Sequence, residues 1–349
     1  MKRIQLDNTV FEGENNVYLL GETATLLVDT GVALPATREE LASGLADHGV
    51  EFADVDAVVL THWHPDHAGL AGEIQAAGGA DVLVHEADAP LVDGREPRFA
   101  DDPERQRETF DRWGMPEAAR DRLRAFFGEM TGLSGRDPAV TTIADGDRIA
   151  VGDVALEAIH LPGHTAGLTA FAFDPRELPG HEPVAGPDAT DPEEAFTGDA
   201  VLPRYTPNVG GADVRIIDPL ADYAASLARI VDRDVDAAHP GHRERIDDPS
   251  RRAATILDHH RHRTRRVVDA LDRLGPLTAW EASAELFGEL EGIHVLHGPG
   301  EASAHLEHLA AADVVEPDGV AYRLVEPDPD VVALFPTTRL DDVVDGSDG

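Results

Sequence analysis

The chain has no cysteine in its 349 residues, which excludes disulfides and thiolate metal ligands alike. Any metal it holds must be bound by His, Asp, Glu or backbone oxygen. Positive charge is scarce and of one kind: Lys2 is the only lysine, and arginine makes up the rest of 29 basic residues against 67 acidic ones. The formal net charge is -38, and the acids are scattered along the whole length. A dispersed acidic surface with almost no ammonium groups is a halophilic-type composition; an ordinary acidic protein of a GC-rich genome is the plainer alternative. Under strong salt such a field is screened within a few Å, so the net charge alone says little about partners. No uninterrupted apolar run approaches the length of a membrane span, and "MKRIQLDNTVFEG" contains no apolar signal core. The expectation is a cytoplasmic protein without a membrane partner.

What is present reads as layered α/β. "NVYLL", "ATLLVDTG", "ADVDAVVL" and "GADVLVHEAD" are strand-like, and "ATREELASGLADHG" and "GLAGEIQAAGG" between them are helical. Residues 97–129 are helical and charged, with Trp113, Met115, Phe126 and Phe127 as the apolar side. Such a segment either covers a pocket as a lid or packs on the surface. Strands resume at "DRIAVGDVALEAIH" and "LTAFAFD"; Pro175 to Glu194 reads as an exposed loop. From Pro249 the composition shifts to a long basic helix, two further helices, the second beginning at "GPGEASAHL", and a hairpin around Asp318-Gly319. The organisation expected is a main domain over 1–248, a winged-helix-like domain over 249–325, and a flexible acidic tail over 326–349.

The chemistry is concentrated in "THWHPDHAG", Thr61 to Gly69. Histidine accounts for 17 of 349 residues, so His-x-His-x-acid-His arises by accident only about once in a hundred such chains. In an extended segment His62 and His64 face the same way and can share one ion. Pro65 then forces a turn that aims Asp66 and His67 at a neighbouring point. Four ligands do not saturate two metals. Further candidates stand at comparable strand ends: His164 in "LPGHTAG", Asp199 in "FTGDAV" and His242 in "HPGH", with Asp199 able to bridge two ions.

These four motifs, in this order, resemble the successive metal motifs of the metallo-β-lactamase superfamily, over roughly residues 5 to 245. The resemblance implies an αββα sandwich with a binuclear site at one edge. It assigns His62, His64 and His164 to the first metal, Asp66, His67 and His242 to the second, and Asp199 to the bridge. Asp29, in "VDTG", would orient a ligand imidazole. His239 competes with His242, which is preferred because it follows "PG". His85 and His160 are read as non-ligands, and His181, His259, His260 and His262 as exposed or structural. With nitrogen and oxygen donors alone, two zinc ions suit the set, iron or manganese being the alternatives. Two such ions lower the pKa of a bridging water toward 7 and polarise the attacked oxygen, giving a metal-bridging hydroxide with Asp66 as the catalytic proton acceptor.

The metal site fixes the reaction type and leaves the substrate open. The absent export signal and cysteine ligand set the chain apart from secreted lactamases. The C-terminal piece resembles the winged-helix-like domain of one hydrolase subgroup, some of whose members cut single-stranded RNA. A hydrolase of a small thioester, lactone or other ester is the first reading. A metal-dependent endoribonuclease is the second, with Arg261, Arg263, Arg265 and Arg266 contacting phosphates of single-stranded RNA. That run would equally well pair with the chain's own acids. A winged-helix DNA binder with a vestigial hydrolase domain conflicts with so complete a ligand set. Tyr205 and Asn208, in "VLPRYTPNVGG", are candidates to line the pocket.

Overall fold

Alternating burial along each strand builds two stacked sheets. The computed structural model describes residues 1–8, 12–130, 132–185 and 189–341. The first sheet contains β1 (Lys2–Leu6), β2 (Asn15–Leu20), β3 (Leu26–Val28), β4 (Ala57–Val59), β5 (Asp81–His85) and β6 (Val140–Ile143), in that order. It is antiparallel from β1 to β3 and parallel from β3 to β6. The second contains β7 (Arg148–Val151), β8 (Val154–His160), β9 (Thr169–Phe173), β10 (Glu194–Gly198) and β11 (Ala237–Pro240), in the order β11-β10-β9-β8-β7.

Successive side chains on a strand point to opposite faces. Tyr18, Leu20, Leu26, Val28 and Val59 therefore meet Phe171, Phe173 and Phe196 of the second sheet. Their neighbours Val17, Leu19, Leu27 and Val58 pack on the other face against Leu41 and Leu45 of α1 (Pro35–Ala46). The same layer includes α2 (Pro65–Ala68) and α3 (Ala71–Gly78), whose Ile74 joins that core. Strands buried on both faces read as continuous apolar runs, which is why β2 has no exposed residue. The outer face of the second sheet is covered in turn, and the architecture is an αββα sandwich.

After α4 (Ala89–Val92), residues 97–130 form a 3-10 turn, α5 (Pro103–Arg112) and α6 (Glu117–Glu129). Phe110 and Trp113 of this segment are fully buried in the cluster that covers the second sheet. That cluster also takes in Tyr223 and Leu227 of α7 (Pro219–Arg233), Val267 and Leu271 of α8 (Pro249–Leu274), Leu286 of α9 (Ala279–Phe287) and Leu306 of α10 (His294–Ala311). One apolar core thus runs across residue 249. The short β12 (Leu277–Thr278) pairs with β14 (Ala321–Leu324), which forms the expected hairpin with β13 (Val315–Asp318). Among the described residues, no helix is long and apolar enough to cross a membrane.

Three local expectations are corrected. The helix placed at "GPGEASAHL" begins earlier, at His294, with Pro299 inside it. Pro299 is the sixth residue of the helix, past the first turn, and its missing N–H removes one intrahelical bond. The acidic tail is packed as far as it is described. Val331 and Phe335 are buried, and Arg261 donates to the Pro336 carbonyl and pairs with Asp341. Residues 342–349 lie outside the described residues. The loop expected over 175–194 is not exposed at its end, where Glu194 is fully buried and opens β10.

Candidate metal centre

Five strands deliver the site. β3 and β4 run parallel in the first sheet, and β8, β10 and β11 run the same way in the second. Their carboxyl ends share one edge of the sandwich, where layered α/β folds gather loops that bind ligands. Asp29 follows β3, His62 and His64 follow β4, His164 follows β8, Asp199 follows β10, and His242 follows β11. α2 begins at Pro65, so a single helical turn swings Asp66 and His67 out of line with His62 and His64. The ladder of β10 on β11 shifts register between Phe196 and Gly198, immediately before Asp199.

The seven candidates converge as two groups joined by one carboxylate. His64 Nδ1 lies 2.9 Å from His62 Nε2 and 3.1 Å from His164 Nε2. Asp66 Oδ2 lies 3.8 Å from His67 Nε2 and 3.5 Å from His242 Nε2. Asp199 stands between the groups: Oδ1 is 3.5 Å from both His67 Nε2 and His242 Nε2, and Oδ2 is 3.6 Å from His164 Nε2. All but His64 are buried, at 6% exposure or less.

Every imidazole is held by its other nitrogen. His64 Nε2–H donates to the Ala212 carbonyl at 3.0 Å, His164 Nδ1–H to that of Asn208 at 2.9 Å, and His242 Nδ1–H to that of Gly13 at 2.8 Å. Asp29 holds two rings. Its Oδ2 accepts from His67 Nδ1 and from Thr61 Oγ1, both at 2.8 Å, and Thr61 Oγ1 is 3.0 Å from His62 Nδ1. These bonds select the tautomer and turn the remaining lone pair of each ring toward the common centre.

The donor set fits divalent cations. Among the described residues, His67 Nε2, His242 Nε2 and Asp199 Oδ1 are buried without a hydrogen-bond partner, although buried polar atoms are ordinarily satisfied. Gly241 belongs to this cradle: a Cβ there would sit 2.5 Å from His67 Cε1 and 2.8 Å from Asp199 Oδ1. Electrostatics separates the two groups. Burial, then the surrounding imidazoles, holds His62 well below its ordinary pKa and His64 at about 4. Burial also opposes charge on His67, but the carboxylates of Asp199, Asp66 and Asp29 outweigh it and push that ring up to about 10. His242 is raised the same way by Asp199 and Asp66. One group is thus three neutral donors, and the other a cluster of carboxylates that demands positive charge, which a metal ion supplies in place of protons.

His85, His160, His181, His239, His259, His260 and His262 lie elsewhere. His239 Nε2 is 2.7 Å from Glu194 Oε2, which His181 Nε2 also approaches at 2.7 Å. His85 and His160 stack on one another, centroids 3.9 Å apart. His260 is buried against His305, His259 is half-buried, and His262 is exposed beside Asp258. Each of the four arginines of the basic run has a partner within the chain: Arg261 as above, Arg263 pairs with Glu301, Arg265 donates to the Pro329 carbonyl and Arg266 to that of Leu286.

The site opens into a cavity of about 780 Å³. Tyr205 and Asn208 line it, as does one side of residues 97–130. Sequence reasoning missed His294 and His297 of α10, which also line it; their only signal was the i, i+3 spacing of "HVLH". Burial and the rings of His294, His164 and His64 hold His297 at about 3, so it stands neutral beside the first group.

The architecture is the mixed α/β metallo-β-lactamase fold, its relatives support a hydrolase, and the His and Asp groups at its strand ends could hold a divalent metal. Residues 10–175 match the family described as the metallo-beta-lactamase superfamily. A metallo-beta-lactamase family protein of Thermus thermophilus superposes with a TM-score of 0.72 and 29% identity, over 93% of this chain and 98% of that one. "Probable metallo-hydrolase YqjP" of Bacillus subtilis is 27% identical over 87% of this chain and 90% of its own. An "Atrochrysone carboxyl ACP thioesterase" of Aspergillus chevalieri is 23% identical over 80% of this chain and 67% of its own. Together they support membership of the superfamily.

Proposed function

We propose that the chain hydrolyses a thioester, lactone or other ester at a two-metal centre held by His62, His64 and His164 on one side, Asp66, His67 and His242 on the other, and Asp199 between. The observation that carries this is the convergence of seven side chains, five of which line one cavity, with the rings oriented by carbonyls and Asp29. Zinc suits nitrogen and oxygen donors; iron and manganese share that preference. Two divalent ions bound there supply a nucleophilic water near neutral pH and polarise the acyl oxygen. Asp66 orients that water and takes its proton. The water oxygen bonds to the acyl carbon, the bond from that carbon to sulfur or alkoxy oxygen breaks with its electron pair, and the leaving atom collects the proton. Only water is consumed.

The thioesterase name of the Aspergillus relative supports the thioester form. The ribonuclease reading is weaker, because the basic run of α8 is spent on partners within the chain. Residues 249–325 serve as a winged-helix-like domain that closes the site, residues 1–248 being the metal-hydrolase domain, and the composition is that of a protein of strong salt. The test is an assay in molar KCl with added zinc on an acyl thioester, a lactone and a labelled single-stranded RNA, comparing wild type with His64→Ala. Ester or thioester cleavage that falls at least ~100-fold in the variant is expected. RNA cleavage that vanishes in the variant, with no ester hydrolysed, would overturn the proposal.

A further inference from the structure

Phenylalanine is limited to 11 residues in this chain, yet four of them, Phe99, Phe126, Phe127 and Phe287, line the cavity that reaches the metal centre. Leu290 and Ile293 join them. These side chains come from two segments far apart in the sequence. Phe99, Phe126 and Phe127 belong to the segment after α4, and their rings pack edge-on or tilted, with centroids 6.1 Å apart for Phe99 and Phe127 and 6.3 Å for Phe126 and Phe127. Phe287, Leu290 and Ile293 belong to the end of α9 and the approach to α10. The two walls meet where Phe126 approaches Gly292. All six apolar residues rest on the large core cluster but are only partly buried. Apolar surface left open beside a reactive centre is unfavourable unless something apolar covers it.

The charged residues of the cavity argue against a polyanionic occupant. Each of its arginines is already paired: Arg98 with Asp137, Arg105 with Asp102, Arg215 with Asp213 and Arg243 with Glu14. Glu12 and Asp101 add negative charge to the lining. Among the described residues, a row of phosphates would find no free arginine there. An uncharged hydrocarbon would find aromatic and aliphatic walls on two sides, in a volume of the size that takes up most of a drug-sized ligand.

We infer that this cavity is an acyl chamber: its occupant is the apolar acyl group, about eight carbons or more, of a substrate whose ester or thioester carbonyl lies at the metal centre. This rests on the hydrolase reading above for what is cleaved, and on the cavity alone for what is bound. The chamber is composite. Neither the sandwich nor the C-terminal helices enclose it alone, which gives the segment 97–130 and the α9–α10 corner a shared role in choosing the substrate.

The experiment compares kcat/KM for acetyl, butanoyl, octanoyl and dodecanoyl thioesters of one thiol, with wild type, Phe127→Glu and Ile293→Arg, the last two taken from opposite walls. A parallel fluorescence titration of each protein with cis-parinaric acid reads binding without turnover. Each methylene buried in an apolar site is worth about fourfold, so kcat/KM should rise at least ~100-fold from acetyl to octanoyl. Each variant that melts like wild type should cut the octanoyl-to-acetyl ratio at least ~10-fold and weaken parinaric acid binding in step. Equal kcat/KM at all lengths, with that ratio unmoved in both variants, would overturn the chamber while leaving the hydrolase intact. If no thioester is cleaved at any length, the thioester form of the hydrolase reading fails by itself and the titration decides: binding lost in both variants upholds the chamber, and no binding by wild type overturns it.

Discussion

Asp29 shows how much of this site is set by one side chain that touches no substrate. Its backbone is left-handed, φ +60°, a conformation that Asp and Asn tolerate better than most residues. Its carboxylate accepts from Thr61 N–H, Thr61 Oγ1 and His67 Nδ1. Asn keeps the backbone preference but turns an N–H donor on at least one of these donors. Asp29→Asn should therefore weaken metal binding by ~10–100-fold while the chain still folds, as read by competition with a zinc chelator; unchanged affinity would remove Asp29 from the account. The choice between His239 and His242 also belongs to this scale. The "PG" before His242 was a usable sign because Gly241 is where a Cβ would collide with His67 and Asp199. His242→Ala should lose one bound metal per chain. His239→Ala should keep the metals and lower stability instead by ~2–4 kcal/mol, since it leaves the buried Glu194 carboxylate short of a donor. Element analysis of both variants alongside their melting curves checks the pair. The ligand candidates were legible because each follows a strand in a short turn motif. The carbonyls of Gly13, Asn208 and Ala212 were not, since a backbone acceptor has no signature in residue type.

The element that connects the C-terminal helices to the candidate metal ligands is the loop 206–212. Two of its carbonyls, Asn208 and Ala212, hold His164 and His64, and its position is fixed by α10: Asn208 Nδ2 donates to the His297 carbonyl at 3.1 Å and to Glu301 Oε2 at 3.0 Å. The backbones approach closely, so a Cβ on Gly300 would stand 2.3 Å from Gly211 Cα. Gly300→Ala must push loop and helix apart, and the prediction is a selective weakening of the first metal, by ~10-fold or more, with the second retained. Two-step metal titration would show it; loss of both metals together, or of neither, would contradict it. At this scale the strands and α8 were readable from period and turn residues. The start of α10 was not, because "HGPG" has the composition of a loop while tertiary contacts at Gly298 and Gly300 favour a helix there. The tail misled for the opposite reason: its acids outnumber the buried Val331 and Phe335 that help to anchor it.

Over the whole molecule, the unused histidines matter for stability. Burial holds His260 and His305 well below the ordinary value, and His85 and His259 at about 4. A base whose folded pKa is depressed contributes stability that is present above its unfolded value near 6.5 and lost as pH falls toward the folded value. Unfolding free energy should thus drop as pH is lowered from about 6.5 to about 4, each such ring adding about 1.4 kcal/mol per pH unit. Urea titrations across that range at fixed salt measure it, and a flat profile would contradict it. The sandwich itself was legible as a whole because strand alternation and the motif order agree. The shared core across residue 249 was not, since apolar residues of α7, α8 and α10 give no sign of which partner they meet. The central claim is that seven side chains hold two metal ions, and metal content of the purified, zinc-equilibrated chain by native mass spectrometry tests it most directly. The account predicts two ions per wild-type chain and fewer than two in Asp199→Ala, whose carboxylate joins both groups. A wild type carrying no tightly bound metal, or an Asp199→Ala variant that still holds two, would contradict it.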